Sequence, residues 1–394
     1  MNRSRALFLT ISLALLAPLV TGVLWSAADR RAEEGEDSLY KHLAIFSEVL
    51  GLVRNNYVDP TEVDRLLAGA MDGSTDALDA FSVYLPADAV ARYTRATGAG
   101  ASRSGLVALR DRGIAFVVAV EAGSPAARAG FESGDILAKL GERSTRDMAA
   151  WELETLLAGD GVDRLVCEVI RRGDSKVLTL EPAAFEPVAP KLEEVAGLPM
   201  LRIARFDAGT AAAVRPLLAG LAERQSGKLL VDLRELAGGS AAAAYEVAAL
   251  FAQGSLGRLE ERGRELRAFA GDAAPLWRGQ IAVLVDSGTL GAAEILGVAL
   301  RDRAGAKLVG VKTFGWAGER ELLELAGGGR LHLTTAFYTG PDLKPISAGL
   351  APDLLVDELS RTFGERDKSL RELILDRGVR YLAGEPEAAG ERAA

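Results

Sequence analysis

The sequence has few of the side chains on which most metalloproteins and triad hydrolases depend. It contains one cysteine, Cys167, and two histidines, His42 and His332, in 394 residues. A single cysteine excludes an intrachain disulfide, and its place in the apolar stretch "LVCEVI" predicts a buried side chain. With these two histidines far apart in sequence, neither a His/Cys metal cluster nor a Ser-His-Asp triad is easy to build. We therefore expect no metal and no cofactor.

The charge balance argues against a nucleic-acid partner. The formal net charge is -9, the pI is about 5.1, and the sequence has no long basic run. Binding to a phosphate backbone depends on clustered lysine and arginine, so nucleic acid is excluded as the expected partner. A hydrophobic content of 49% supplies a packed core, and the length suggests two or three domains.

The N-terminus has the pattern of an export signal. Arg3 and Arg5 precede an apolar run from Ala6 to Trp25. A run of this length favours a retained anchor in the inner membrane, with the arginines on the cytoplasmic side. The small residues at 26–28 leave a cleaved signal peptide open as the alternative. In both cases the rest of the chain is expected to work in the periplasm or another extracytoplasmic compartment.

Composition and periodicity divide the chain into five predicted segments. Apolar residues at helical spacing after a charged spacer indicate a small helical domain, and the chain ends in a helix and a disordered tail. The predicted segments are a signal anchor or signal peptide (1–28), a spacer with the helical domain (29–96), a mainly-β domain (97–186), an α/β domain (187–358) and the C-terminal helix with its tail (359–394).

Five short alternating stretches after the Gly/Ser/Ala-rich joint predict strands, with one helix-like stretch from Met148 to Ala158. Together with "GSPAARAGFESGD" they closely resemble a bacterial-type PDZ domain. The resemblance implies that backbone N–H groups of Gly105, Leu106 and Val107 bind the terminal carboxylate of a peptide that adds as a strand. The alternative is a domain retained only for packing.

Beyond Pro187, strand-like and helix-like stretches alternate. This alternation of strands and helices predicts an α/β core with a largely parallel central sheet. The fold class expected for the whole chain is therefore an α/β core with an inserted mainly-β PDZ domain and a small N-terminal helical domain.

Several local motifs resemble those of the carboxyl-terminal processing (tail-specific) serine proteases. The similarity covers residues 43–356, and "LDAFSVYL" corresponds to the Leu-Asp-Pro-His-Ser-Ser-Tyr-Leu motif of that family. The other matching stretches are "YVDP", "VDLRELAGG", "VGVKTFG", "LTTAFY" and "GLAPDLLV". The tail-specific protease-like core is an implication of this resemblance.

The resemblance also locates a catalytic dyad whose residues are substituted. In the family the nucleophile is the serine three residues before the glutamate of Ser-Ala-Ser-Ala-Ser-Glu, and Glu294 places that position at Gly291. The general base is the lysine of Thr-Phe-Gly-Lys-Gly, where "TFGWAG" has Trp316. The assisting aspartate is retained as Asp302, although a structural ion pair is the alternative for this residue.

The chemistry of the substituted positions argues against acyl transfer. A serine–lysine dyad needs a hydroxyl nucleophile and a neutral amine, and glycine and tryptophan provide neither. The N–H groups of Gly239 and Ala292 are predicted to retain an oxyanion-hole-like arrangement, because backbone donors do not depend on the missing side chains. Alternatively, Gly291 is a helix N-cap with Glu294 at N3, and the glycines form a tight turn. Ser287, Thr289 and Lys312 are the nearest candidates for a displaced catalytic group.

Three functions remain open from the sequence. The first is a pseudoprotease that binds protein C-termini, unfolded polypeptide or partner proteins through the PDZ groove. The second is an active serine-type endopeptidase with a displaced nucleophile. The third is a structural subunit of an active processing protease.

Overall fold

The computed structural model describes residues 40–98, 103–357 and 367–385. The predicted export segment and the tail beyond residue 385 lie outside these ranges. No helix within them combines the length and the hydropathy that a bilayer span requires. The chain separates into two compact units, Met1–Met71 and Asp72–Ala394. In the first unit, residues 40–56 form helix α1, and helix α2 (Val63–Asp76) begins there.

The predicted PDZ strands form one antiparallel sheet. Its order is β2-β3-β4-β6-β7, with β5 paired to β4, so β2 is an edge strand. The helices of this domain are α4 (Pro125–Ala129) and α5 (Ala150–Ala158). Cys167 lies in the apolar core of the sheet, as expected, and burial raises the pKa of its thiol to about 12. The strands are β2 (Leu106–Asp111), β3 (Ile114–Val120), β4 (Ile136–Leu140), β5 (Arg143–Ser144), β6 (Leu165–Arg171) and β7 (Asp174–Leu180).

A six-stranded sheet forms the centre of the α/β core. Its order is β17-β14-β13-β10-β9-β8, and all of its pairings are parallel except that of β8 with β9. The largely parallel sheet predicted from the alternating pattern is confirmed. Its strands are β8 (Lys191–Val195), β9 (Leu198–Arg202), β10 (Lys228–Asp232), β13 (Gln280–Val285), β14 (Lys307–Gly310) and β17 (Leu354–Leu355).

Helices cover both faces of this sheet. Successive residues of a strand point to opposite faces, so Leu229 and Val231 pack in one apolar cluster with the first three core helices. Leu230 packs in a second cluster with the last helix. These helices are α6 (Thr210–Glu223), α7 (Ala241–Ala248), α8 (Ala292–Ala304) and, on the second face, α9 (Leu370–Ala383).

A second sheet lies beside the core and includes a strand from the N-terminal region. Strand β1 pairs antiparallel with β16, and the sheet order is β1-β16-β11-β12, with β15 also paired to β16. Helix α3 (Val90–Thr97) follows β1. The strands are β1 (Val83–Leu85), β11 (Gly254–Glu261), β12 (Arg264–Gly271), β15 (Gly318–Glu324) and β16 (Arg330–Tyr338).

Candidate functional site

The turn between β13 and α8, where the resemblance places the nucleophile, has a backbone conformation that favours glycine. Gly291 caps α8 with φ 62° and ψ -113°, a conformation that residues with a side chain adopt only at a cost. A Cβ atom built on Gly291 would have one neighbour within 4 Å, the Trp316 carbonyl oxygen at 3.7 Å. The turn therefore has room for a side chain, and its backbone conformation favours glycine.

The Glu294 carboxylate ties the Gly291 turn to the loop that carries Trp316. Its Oε2 accepts hydrogen bonds from the N–H groups of Gly291 and Trp316, each at 3.0 Å. Its Oε1 accepts the Gly315 N–H at 2.8 Å and the Thr313 hydroxyl. Burial raises the pKa of this carboxyl, while its four hydrogen bonds oppose the shift. The two predicted dyad positions are thus held side by side.

An aromatic stack occupies the predicted base position. The indole of Trp316 stacks on Phe81, with ring centroids 3.8 Å apart and planes 15° apart. Phe81 stands where the family motif has histidine. Both rings belong to an apolar cluster with Leu290 and with Leu109 and Val118 of the PDZ domain. The indole Nε1 is buried and has no partner among the described residues, and it carries no basic lone pair.

The two predicted oxyanion-hole donors line one pocket with Gly291 and Trp316. Gly239 and Ala292 are on the wall of this pocket, which has a volume of about 500 Å³. Gly239 has φ 118°, and a Cβ atom there would lie 2.2 Å from the Phe206 carbonyl oxygen, so only glycine fits. Neither N–H finds an acceptor within the described part of the chain. The two predicted donors therefore lie on the wall of one pocket, and their role as an oxyanion hole stays a prediction.

The candidates for a displaced catalytic group lie away from the pocket. Thr289 is fully buried, and its hydroxyl donates to the Leu233 carbonyl oxygen at 2.8 Å. Ser287 and Lys312 are exposed and do not line the pocket. Asp302 lies near the far end of α8, on the order of 16 Å along the helix from Gly291, and pairs with Arg301 at 2.8 Å.

The pocket contains one serine that the sequence analysis missed. Ser240 lies on its wall, and its N–H donates to the Phe206 carbonyl oxygen at 2.8 Å. Its position directly after Gly239 is the sequence signal that would have found it. Among the described residues that line the pocket, the titratable side chains are Glu319, Arg320 and Tyr338, with no lysine or histidine.

His332 belongs to a polar network next to the PDZ helix α5. Its Nδ1 lies 3.0 Å from the Tyr93 hydroxyl, which donates to Glu154 of α5 at 2.7 Å. Burial, with a smaller contribution from Arg320, lowers the pKa of His332 to about 4. The histidine is therefore neutral near pH 7, and its place on β16 with a buried hydroxyl partner is that of a structural residue.

The predicted PDZ groove forms a second pocket of about 520 Å³. Gly105, Leu106 and Val107 line one side, and residues of the α/β core, including Arg205 and Gly238, line another. Gly105 has φ 67°, and a Cβ atom there would lie 2.2 Å from Ser124 Cβ, so a larger residue would displace the loop. The Leu106 N–H already donates to Ser104 Oγ at 3.1 Å. One of the predicted carboxylate donors is therefore engaged within the chain.

Two ion pairs join the PDZ domain to the core across this groove. Arg205 pairs with Glu121 at 3.0 Å, and Arg320 pairs with Glu154 of α5 at 3.6 Å. Phe81, Val107 and Arg320 are on the walls of both pockets. The groove and the pocket at the predicted dyad positions consequently adjoin each other.

Comparison with known proteins agrees with this architecture. Residues 198–356 match the Peptidase family S41 model, and residues 116–171 match the PDZ domain model. The chain is 25% identical over 363 residues to the carboxy-terminal-processing protease of Bartonella bacilliformis, which covers 89% of this chain and 81% of that protein. It is 28% identical over 258 residues to the carboxyl-terminal-processing protease of Synechocystis sp., covering 63% of this chain and 60% of that protein.

A solved structure of similar fold is the photosystem II D1 C-terminal processing protease. The TM-score is 0.63 at 22% identity, over 84% of this chain and 96% of that one. The fold is therefore that of a PDZ-containing S41 peptidase. The chain is a homologue of the carboxyl-terminal processing proteases, as its motifs predicted.

Proposed function

We propose that this chain is an exported, non-catalytic relative of the C-terminal processing peptidases that binds protein C-termini through its PDZ groove. The observation that carries the proposal is the stack of Trp316 on Phe81 at the base position, beside a glycine at the nucleophile position. An aromatic ring in an apolar cluster cannot accept a hydroxyl proton.

The loss of turnover expected without a nucleophile and a base supports this proposal. Loss of a catalytic nucleophile alone costs about 10⁶ in turnover in a well-studied serine protease. Here the nucleophile is missing at Gly291 and the base at Trp316. Neither Ser287 nor Lys312 reaches the pocket, and the Thr289 hydroxyl is committed to a buried backbone oxygen.

The groove supports the binding part of the proposal. Strand β2 is the edge of the PDZ sheet, so its free side can pair with an added peptide strand. Gly105 keeps the loop conformation that a larger residue would disrupt. Ordering the peptide on binding costs free energy, which offsets part of the gain from the backbone contacts with β2. We therefore expect micromolar rather than nanomolar affinity.

A calorimetric titration tests the binding. The full chain is titrated with a peptide bearing a free C-terminus and with its amidated twin. We expect the acid to bind more tightly, Gly105→Leu to weaken capture of the acid, and Gly291→Ser to leave it unchanged. Equal affinities for the two peptides would eliminate carboxylate recognition and leave the domain as a packing or assembly module.

An active serine-type endopeptidase is the second candidate. The observation in its favour is Ser240, which lies in the pocket with the two backbone donors. The absence of lysine and histidine from the described lining residues argues against it, because a serine hydroxyl needs a base. Loss of turnover in Ser240→Ala would establish this alternative.

The role of structural subunit has a separate test. A protein that assembles with an active processing protease should co-purify with it in stoichiometric amounts and change its turnover. Binding of free C-termini with no such partner favours the first proposal.

Location outside the cytoplasm is also part of the proposal and is supported by Arg3 and Arg5 ahead of the apolar run 6–25. Cell fractionation with mass spectrometry of the N-terminus distinguishes an anchored protein from a soluble form that begins near Asp29.

A further inference from the structure

Arg205 is a cation of the α/β core that reaches the PDZ groove. It follows strand β9 and lines the groove together with Gly105, Leu106 and Val107. Its Nη1 donates to Glu121 Oε2 at 3.0 Å, and 33% of its side chain is exposed. A Cβ atom built on Gly238 would lie 3.7 Å from this Nη1. The guanidinium therefore sits where the PDZ groove meets the loop of Gly239.

Glu121 places Arg205 at the carboxylate-binding end of the groove. Its N–H donates to the Gly105 carbonyl oxygen at 2.8 Å, which fixes Glu121 next to the predicted loop. The Glu121 side chain is only 10% exposed, and its Oε1 is buried without a donor in the described part of the chain. Glu121 consequently holds Arg205 through one oxygen.

The loop by itself is poorly equipped to neutralise a carboxylate. Burying an ionised carboxylate is costly unless charge or several donors compensate it. The Leu106 N–H, one of the expected donors, is already bonded to Ser104 Oγ. A positive charge near the loop would supply the missing compensation.

Arg205 has the donors for this task. A guanidinium carries five N–H donors in a planar fork that matches a carboxylate. Among the described residues, Glu121 is the one acceptor bound to this fork, and the arginine lines the groove. Arg320, the other arginine of the groove, is engaged by Glu154 and by the Phe81 carbonyl oxygen at 3.0 Å.

We propose that Arg205 receives the terminal carboxylate of a peptide held in the PDZ groove. The inference rests on the proposed binding function and adds that the carboxylate site is shared between the two domains. Glu121 positions the guanidinium and also opposes the ligand, because its own negative charge lies beside the incoming carboxylate. Neutralising Glu121 and removing the charge of Arg205 should therefore act in opposite directions.

The test measures acid and amide peptides against full-length variants by calorimetry. The probe is a synthetic peptide of about ten residues ending in valine, chosen for the apolar wall that β2 presents, with its amidated twin. Arg205→Met should weaken binding of the acid by about tenfold or more and leave the amide unchanged. Glu121→Gln should tighten binding of the acid. Arg215→Met, which removes an exposed arginine on α6 outside the groove, should alter neither.

The outcomes separate this inference from the function on which it rests. If the unsubstituted protein prefers the acid but Arg205→Met keeps the full preference, Arg205 is an interdomain ion-pair residue and the inference is wrong. The inference is also wrong if Glu121→Gln weakens binding of the acid peptide. Either substitution breaks the Arg205–Glu121 ion pair, so a pair needed only for packing would give the same loss of binding in both variants. If the unsubstituted protein binds neither peptide, the proposed function fails, and this assignment fails with it.

Discussion

Gly291 lies directly against Trp316: a Cβ atom on the glycine would come 3.7 Å from the tryptophan carbonyl oxygen. The contact persists because Glu294 Oε2 binds the N–H groups of both residues. Glu294 therefore holds the two predicted dyad positions next to each other, and neither glycine nor tryptophan has a nucleophilic or basic side chain.

The strained turn predicts that restoring a serine at residue 291 destabilises the protein. Gly291→Ser should lower the free energy of unfolding by about 1–3 kcal/mol, because its φ of 62° disfavours any side chain. Gly291→Ala is the matched control and should lose a similar amount, since the space around the Cβ position is open. Denaturant unfolding measures both. A serine variant as stable as the unsubstituted protein would show that the turn relaxes.

The stack on Phe81 predicts that Trp316 stabilises the apolar cluster between the PDZ domain and the core. Trp316→Lys should reduce the free energy of unfolding by about 3–5 kcal/mol, because it removes the large ring from the apolar cluster. Trp316→Phe retains a ring against Phe81 and should lose less. Thermal and denaturant unfolding compare them. Equal stability of the lysine variant would mean that the cluster does not depend on the indole.

Glu294 is predicted to hold the site together. Glu294→Gln replaces one accepting oxygen by an NH₂ donor. At least one of the N–H groups of Gly291, Gly315 and Trp316 then loses its acceptor, which should lower the free energy of unfolding by about 1–3 kcal/mol. Hydrogen exchange at the Trp316 N–H should accelerate in the variant. Glu223→Gln, at an exposed position on α6, should stay within about 0.5 kcal/mol of the unsubstituted protein. Unchanged exchange at residue 316 would contradict this anchoring role.

Asp286 predicts a pH dependence of stability. Burial raises its pKa from 3.8 to about 6, although the N–H groups of Glu235 and Gly288 oppose the shift. The folded state thus keeps a proton that the unfolded state has lost, and the stabilisation by Asp286 is fully present below pH 3.8 and lost as the pH rises through about 6. The loss amounts to roughly 3 kcal/mol.

Asp286→Asn isolates this contribution, since its amide oxygen can still accept the same N–H groups. The difference in unfolding free energy between the two proteins should change between pH 4 and pH 7 in the direction given above. A difference that is independent of pH would show that Asp286 titrates normally in the folded protein.

The elements that the sequence predicted are those with a local pattern. The PDZ strands, the alternating core and the turn before α8 follow from hydrophobic periodicity and turn residues within short windows. The family motifs added the positions of Gly291 and Trp316, and the turn around Gly291 explains why glycine suits this position.

Contacts between distant segments could not be predicted in this way. The pairing of β1 with β16 and the stack of Phe81 on Trp316 depend on how elements far apart in sequence pack together. The hydrophobic periodicity of a short segment does not contain this information. The same applies to the ion pair of Arg205 with Glu121. Each is fixed by packing and register over long sequence separations.

The central claim is that this homologue of processing peptidases binds without cleaving, and a turnover assay tests it most directly. The purified full-length protein is incubated with an unfolded substrate and with the free-acid peptide, at a peptide concentration that saturates the groove by calorimetry. The account predicts binding with no hydrolysis above the buffer control. Hydrolysis that disappears in Ser240→Ala, Ser287→Ala or Thr289→Ala would contradict it and establish a displaced nucleophile.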